Sequence, residues 1–512
     1  MYKNKSHHLF DAIHRDKHIR RRLVIEGVLV GIVAGSGAVL YRYLLSYAGE
    51  FSHSLYSKHT VSSIAITFTI LLLMGWIAGT LLKRAPLSSG SGIPQVTGEL
   101  LGEMDMSPRP VLLSKFVGGL TSMIAGLSLG REGPSIQIGA VLGKWVAKRL
   151  NLDLTEERVL ITAGASAGLS AAFNAPIAST LFVLEEVHKN LAPLFLVPAL
   201  LAGITADYIS KNIFGLTPSF AIKINQMLQP KDYIWLLGLG VLAALVGCAF
   251  SKTLVFTQSK MKRLTPDPRI RVMLGFLIAG IIGYLAIDLT GSGHELIFHL
   301  IEHPVALSTL FLLMIGKLLY TSISYGTSVP GGIFLPVLVI GCLAGSWFYQ
   351  SLQLFGFGPE QQLNNFVILG MVGVLTAVVR SPLTSIVLVS EMVGDLQHIL
   401  TISLVAAIAY LVSEALHVPP IYETLYENMR PTTIQHRPSE KLIIKLSVPL
   451  VSEIAHLTVQ ELSLPAGTLI VAIERNEVEV VPSGTTQLKP YDVLTIVTDT
   501  EHVKHIREQF IG

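Results

Sequence analysis

GREGPSIQIG, residues 130–139, sets one carboxylate, Glu132, inside a stretch that otherwise suits a membrane interior. Apolar runs flank it at 112–129 and 136–146. A charge at that depth costs from about 2.5 kcal/mol to much more, so an acid kept there points to function. Gly130, Gly133 and Pro134 interrupt any continuous helix. Pro134 suits the first turn of a new one, where its missing N–H would have had no partner. The stretch therefore predicts a helix that starts within the membrane and carries an acid. Helix N-termini attract anions. An ionisable group at such a site can couple anion movement to proton movement.

The whole chain agrees with a membrane setting. Of its 512 residues 51% are hydrophobic and 14% charged, against about 25% charged in soluble domains. Apolar stretches recur at 23–47, 61–82, 194–213, 233–256, 272–289, 305–320, 366–379 and 399–416. Several approach the roughly 20 residues needed to span a bilayer. The stretches 111–147 and 329–351 are broken by Gly and Pro, as in transporters built from discontinuous helices. Residues 1–22 form a basic arm with seven Lys and Arg against two Asp. By the positive-inside rule this arm is cytoplasmic, and a nucleic-acid partner is not expected. Cys248 and Cys342 lie in apolar context and read as buried thiols rather than a disulfide or metal pair. His7, His8, His14 and His18 read as solvated. No nucleophile–base pair, phosphate loop or zinc spacing stands out, so neither an enzyme nor a bound cofactor or metal is expected.

The chain divides near residue 430. A linker over 429–440 leads to a small α+β module over 441–512. Strands are expected at 441–449, 468–474, 477–481 and 492–498, and helices at 453–457 and 501–510. The membrane part, 23–428, repeats itself in halves of about 60–215 and 265–428. Gly90, Ser91 and Gly92 recur as Gly291, Ser292 and Gly293, and Lys115 as Lys317. Gly130, Pro134, Gly139, Gly143 and Trp145 recur 202 positions later as Gly332, Pro336, Gly341, Gly345 and Trp347. Pro176, Ser179 and Glu185 recur as Pro382, Ser385 and Glu391. Duplicated halves place a substrate site at their interface near the midplane. Within this register Glu132 faces Phe334, and Glu186 faces Met392. Acids present in one half only read as specialised. Glu185, kept as Glu391, reads as structural.

Ser91, before Pro94, offers a hydroxyl and backbone N–H groups at a helix end. Packing of small residues between helices is the competing reading. Residues 331–336, GGIFLP, offer only backbone N–H donors at a helix start, or form a plain re-entrant turn. Tyr422, after Pro419 and Pro420, is either a pore hydroxyl or an interfacial anchor.

Together GSGIP at 90–94, GREGP at 130–134, GGIFLP at 331–336 and the tyrosine of PPIYETL at 419–425 resemble the CLC family of chloride channels and chloride/proton antiporters. The resemblance covers about 20–428. It implies an all-α polytopic membrane fold of two inverted repeats with tilted and discontinuous helices, homodimeric, with a separate pathway in each subunit. It also implies that Ser91, Tyr422 and the N–H groups of Ile333 and Phe334 hold chloride. Glu132 would be the gating glutamate and Glu186 the internal proton-transfer glutamate of the antiporter branch. Pure channels generally lack an acid at that second place. Leu335 departs from the alanine usual in the family's motif and is expected to narrow the site. Residues 466–497 resemble a TrkA-C (RCK C-terminal) domain. Such domains regulate ion transporters, in some cases by binding small ligands, and this pairing suggests a prokaryotic inner or plasma membrane. The expected activity is chloride/proton exchange. A passive chloride channel and a cation transporter remain as alternatives. The cation reading follows from the tail but lacks a potassium-filter sequence.

Overall fold

The computed structural model describes residues 3–220, 222–224, 226–303, 305–395, 397–430, 441–448, 454–455, 457–462, 464–475, 478–499, 502 and 506. Within the first helix, side chains are described from residue 21. Two compact units result, Met1–Met429 and Arg430–Gly512.

The first unit is helical. Its first half holds α1 (Lys3–Tyr56), α2 (Val61–Arg84), α3 (Ile93–Leu100), α4 (Pro108–Ile124), α5 (Glu132–Arg149), α6 (Leu154–Phe173), α7 (Pro176–Phe182) and α8 (Pro193–Phe214). Its second holds α9 (Tyr233–Leu264), α10 (Pro268–Leu285), α11 (His294–Glu302), α12 (Leu307–Gly326), α13 (Phe334–Leu354), α14 (Leu363–Val379), α15 (Pro382–Val393), α16 (Ile399–Ala415) and α17 (Ile421–Glu427). Seven helices among the described residues are long and apolar enough to cross a membrane. The basic residues of 1–22 do not form a separate arm along the backbone, as α1 runs unbroken through them. Arg20, Arg21 and Arg22 are good helix formers and nothing there stops the helix. Cys248 and Cys342 are buried free thiols.

The two halves are related by a local two-fold axis. Gly130 and Gly332 form an antiparallel bridge in which each N–H donates to the other carbonyl at 2.7 Å. These are equivalent positions of the repeat, so the halves meet inverted at this point. The same symmetry recurs outward. Gly90 N–H donates to Ser328, and Gly291 N–H to Gly126. Lys115 Nζ donates to the Gly90 carbonyl at 2.7 Å, and Lys317 Nζ to Gly291 at 2.9 Å. The repeat also extends further than its sequence signal. α1 packs on α6 and α8 as α9 packs on α14 and α16.

Small residues set the closest approaches. A Cβ on Gly139 would collide with the Gly164 carbonyl, and one on its counterpart Gly341 would meet the Gly370 carbonyl. These glycines let α5 lie against α6, and α13 against α14, nearly backbone to backbone.

The second unit carries a four-stranded antiparallel sheet of β1 (Lys441–Ser447), β2 (Leu469–Arg475), β3 (Val478–Val480) and β4 (Val493–Asp499), in the order β1-β4-β2-β3. The strands fall within one or two residues of their expected bounds. A bulge between Ile470 and Ala472 shifts the alternation, so Ile470 and Ile473 both face the core with Leu494 and Ile496. Of the helix expected at 501–510 only residues 502 and 506 are described, and of that at 453–457 residues 454, 455 and 457, where 454 and 455 form a turn.

Arg475 grips the buried Asp492 with two hydrogen bonds, 2.8 and 2.6 Å long, and the Lys489 N–H adds a third at 2.8 Å. Burial alone pushes the Asp492 carboxyl up, but these hydrogen bonds and the Arg475 charge outweigh it, and the net shift is downward. A depressed folded-state pKa contributes stability above the ordinary aspartate value of about 3.9, and loses it as pH falls through the folded value. Asp492→Asn is therefore expected to make the tail of the full-length protein more sensitive to thermolysin at neutral pH. Wild type and variant should converge under pepsin at low pH. Equal neutral-pH sensitivity would remove this role.

Candidate functional site

Several helices begin at the interface of the halves, and their first turns differ in how they are satisfied. The N–H groups of the first turn of any helix lack intrahelical partners. At α7 the carboxylate of Glu391 accepts from the N–H groups of Ile177 and Ala178, at 3.3 and 2.8 Å. At α15 the carboxylate of Glu185 accepts from the Thr384 N–H at 2.9 Å and its hydroxyl at 2.6 Å. Each repeat-conserved acid caps the broken helix of the opposite half, which is the structural role expected of it. The starts of α5 and α13 have no side-chain cap. Both starts follow directly on the Gly130–Gly332 bridge.

Glu132 is the first residue of α5 and Phe334 the first residue of α13. The Glu132 side chain is fully buried, and neither carboxylate oxygen makes a hydrogen bond of good geometry. Its own N–H, that of Leu335 and the charges of Arg131 and Arg42 act on the carboxylate. The carboxylate folds back over Gly130, where a Cβ would strike Oε2. It therefore lies beside the open N-termini of α5 and α13.

Ser91 is fully buried, and its Oγ accepts only a long 3.4 Å bond from the Ile93 N–H at the start of α3. Gly92 supports this turn at φ +91, with Gln137 packed where a Cβ would stand. Gln137 is pinned by a 2.7 Å bond from Nε2 to the Leu87 carbonyl. Ile333 caps α13 through its backbone. The Phe334 ring packs 5.5 Å from Phe173 and 5.6 Å from Phe182, and Phe182 meets Tyr422 edge-on at 6.1 Å. These rings form an apolar wall that carries Tyr422. Tyr422 is buried and within electrostatic reach of Tyr325, Glu186 and Glu132. Ser91 thus packs against Gly133 in the first turn of α5, and Phe182 links the Phe334 ring to Tyr422. Leu335 is buried against Gly130 and lines a cavity of about 920 Å³ together with Arg131, so it faces the mouth beside Glu132.

Glu186 sits on a π-helical turn, Val183–Val187, that continues α7. The turn is marked by the 2.7 Å bond from His188 N–H to the Val183 carbonyl, and such turns recur at functional sites. Glu186 is buried and accepts a 2.9 Å bond from the Ser381 hydroxyl, with Lys189 and Glu423 nearby. The extra residue in the turn sends neighbouring acids to different tasks, Glu185 to the α15 cap and Glu186 toward Ser381.

Three contributors gave no sequence signal. Tyr325 lies outside the repeat matches, yet its buried hydroxyl stands beside Ser91 and makes no hydrogen bond of good geometry. Arg42 reaches from α1 to bond Asn174 Oδ1 at 2.8 Å and the Ala171 carbonyl at 3.0 Å at the edge of the mouth. Lys144, three turns along α5 from Glu132, is buried between Glu99 of α3 and Asp105. Glu99 also accepts from the Met106 N–H at 2.5 Å. This ion pair ties the α3 helix behind Ser91 to the α5 helix behind Glu132.

Removing one partner of a buried ion pair costs about 3–5 kcal/mol, while replacing both by apolar groups is often near neutral. Lys144→Met is expected to lower the melting temperature of the detergent-solubilised protein markedly. Lys144→Met with Glu99→Leu should recover part of that loss. An unchanged melt for the single variant would remove the pair's role.

The sequence matches the voltage gated chloride channel family over residues 72–414 and the TrkA-C domain family over 443–511. The H(+)/Cl(-) exchange transporter ClcA of Salmonella arizonae is 31% identical over 426 residues, 81% of this chain and 89% of that protein. The ClcA of Vibrio campbellii is 30% identical over 410 residues, 78% and 87% respectively. Among solved structures, a slow cyanobacterial Cl−/H+ antiporter aligns with TM-score 0.75 at 29% identity, over 81% of this chain and 99% of that one. A CLC-type fluoride/proton antiporter aligns with TM-score 0.68 at 25% identity, over 78% and 97%. A eukaryotic CLC transporter at 18% identity and TM-score 0.67, covering 86% and 80%, shares the fold. With inverted halves, helix starts open toward their shared axis and these relatives, the chain belongs to the CLC family of membrane transport proteins, with a TrkA-C domain following its membrane part.

Proposed function

We propose that the protein exchanges chloride for protons. The carrying observation is the Glu132 carboxylate, buried without a good hydrogen bond beside the uncapped starts of α5 and α13. Ionised Glu132 substitutes for an anion there, because a carboxylate offers the same charge to the same N–H donors. Protonation removes that charge, the side chain leaves, and chloride enters. Ser91, Tyr422 and the N–H groups of Ile333 and Phe334 hold the ion. Donors without a Lys or Arg ligand bind it weakly enough to release it. Glu186 passes the proton between the interior solution and Glu132. Mutual exclusion of carboxylate and chloride couples the two flows.

The alternative is a passive chloride channel on the same fold. In proteoliposomes the exchanger's zero-current potential should shift when a pH gradient is imposed at fixed chloride. A potential that follows the chloride gradient alone would establish the channel.

The family resemblance extends the proposal to a homodimer with a pathway in each subunit, both termini cytoplasmic, and a regulatory tail open to a small ligand. A single-chain mass in detergent solution would remove the dimer. Protease cleavage of the tail from the outer face of sealed right-side-out vesicles would remove the orientation. Flux unaltered by deletion of the tail would remove its regulatory role.

A further inference from the structure

A cavity of about 730 Å³ lies between the second half of α9 and the beginning of α17. Lys252, Lys260 and Arg263 line it, with Phe256, Leu264 and Ile421 among its apolar walls, and no carboxylate contributes to the lining. Among the described residues, none of these three cations has an ion-pair partner. Positions 252, 256, 260 and 263 fall on one side of a helix that turns by about 100° per residue. The side therefore presents cations interleaved with an aromatic ring. Lys260 Nζ stands 5.7 Å from the centre of the Phe256 ring, and Phe256 and Leu264 are 65% and 71% exposed.

Helix length places this side at the membrane boundary. α9 has 32 residues, or about 48 Å at 1.5 Å each, against a hydrocarbon core of about 30 Å. Its basic last turn, with Lys262 and Arg263, reaches headgroup depth. Lys252 lies about 16 Å deeper along the helix, where a long lysine extends toward the interface. A groove with an apolar floor, three cations without an ion-pair partner among the described residues and a rim at headgroup depth fits an amphiphile with an anionic head.

We propose that this groove binds an anionic phospholipid, its phosphate held by Lys252, Lys260 and Arg263 and its acyl chains laid over Phe256, Leu264 and Pro419. Ile421 lines the groove and is the residue before Tyr422. Ile421 itself is buried, so an occupant bears on the start of α17 through Pro419 and Thr424, which flank Tyr422 in the chain and are accessible in the groove. That link to transport rests on the exchange reading above, whereas the binding itself does not.

The test is native mass spectrometry of the purified full-length protein titrated with phosphatidylglycerol or phosphatidylcholine. Wild type should retain phosphatidylglycerol in preference to phosphatidylcholine. Neutralising Lys252, Lys260 and Arg263 to Gln should weaken that retention by about fivefold for each cation removed. A photoactivatable phosphatidylglycerol should label wild-type peptides around Phe256 and Ile421, a readout that does not depend on any variant folding. Equal retention of the two lipids, an unaltered preference in the triple variant, or labelling confined to other helices would overturn the proposal. Displacement of the lipid by millimolar inorganic phosphate would also overturn it, since the groove would then be a site for a soluble anion.

Discussion

Replacing Glu132 by alanine is expected to leave chloride flux in place and abolish chloride-driven proton movement entirely. Glu132 is the acid beside the open starts of α5 and α13. Without it the donors stay open to chloride, no group alternates with the ion, and no proton is carried. Glu132→Gln should behave alike, since a neutral amide imitates the protonated side chain without exchanging a proton. In both variants chloride flux should lose its dependence on pH at the mouth. The measurement is proton uptake into proteoliposomes under an outward chloride gradient, with chloride efflux recorded alongside. Uphill proton movement in either variant would remove Glu132 from the mechanism.

Glu186→Gln is expected to abolish proton movement as well, with a different signature. The chloride route and the Glu132 gate remain, so chloride flux should persist and keep its response to pH on the Glu132 side. Proton supply from the other side is cut. Ser381→Ala removes only the 2.9 Å hydrogen bond that orients Glu186, worth about 0.5–1.5 kcal/mol, and should weaken coupling without eliminating it. Glu185→Gln is the contrasting case. It loosens the cap on α15, so it should lower thermal stability while the surviving protein still couples. If Glu186→Gln pumped protons as wild type does, or if Glu185→Gln uncoupled the folded protein, the division of labour between these neighbours would be wrong.

Much of this site was legible as residues. The register that set Glu132 against Phe334 predicted two equivalent helix starts, and both are found as the first residues of α5 and α13. The same register separated Glu185 from Glu186, and the reciprocal caps by Glu185 and Glu391 accord with it. Motif strings carried Ser91 and Tyr422, because a loop that presents backbone and one hydroxyl leaves a local signature of glycine and proline. Tyr325, Arg42 and Lys144 left none. Each acts across a long stretch of chain, Arg42 on Asn174 at 132 positions and Lys144 on Glu99 at 45. A single sequence does not record such separations. The extent of the repeat was also underread. α1 and α9 occupy equivalent places, but their packing is satisfied by many apolar side chains, so little sequence identity survives to reveal it.

By itself the sequence determined that this is a polytopic membrane protein of two related halves, with one acid at a helix start and a small strand-rich tail. Local chemistry suffices for those conclusions. Apolar runs need lipid, glycine and proline break helices, and spacing exposes duplication. Only the tertiary structure decided that the halves meet inverted at Gly130 and Gly332. It alone distinguished the helix starts closed by a distant carboxylate from those left open. The reason is physical. Whether a first-turn N–H is free for an anion depends on what the opposite half brings to it, and that partner lies about two hundred residues away, at separations such as the 199 between Glu185 and Thr384.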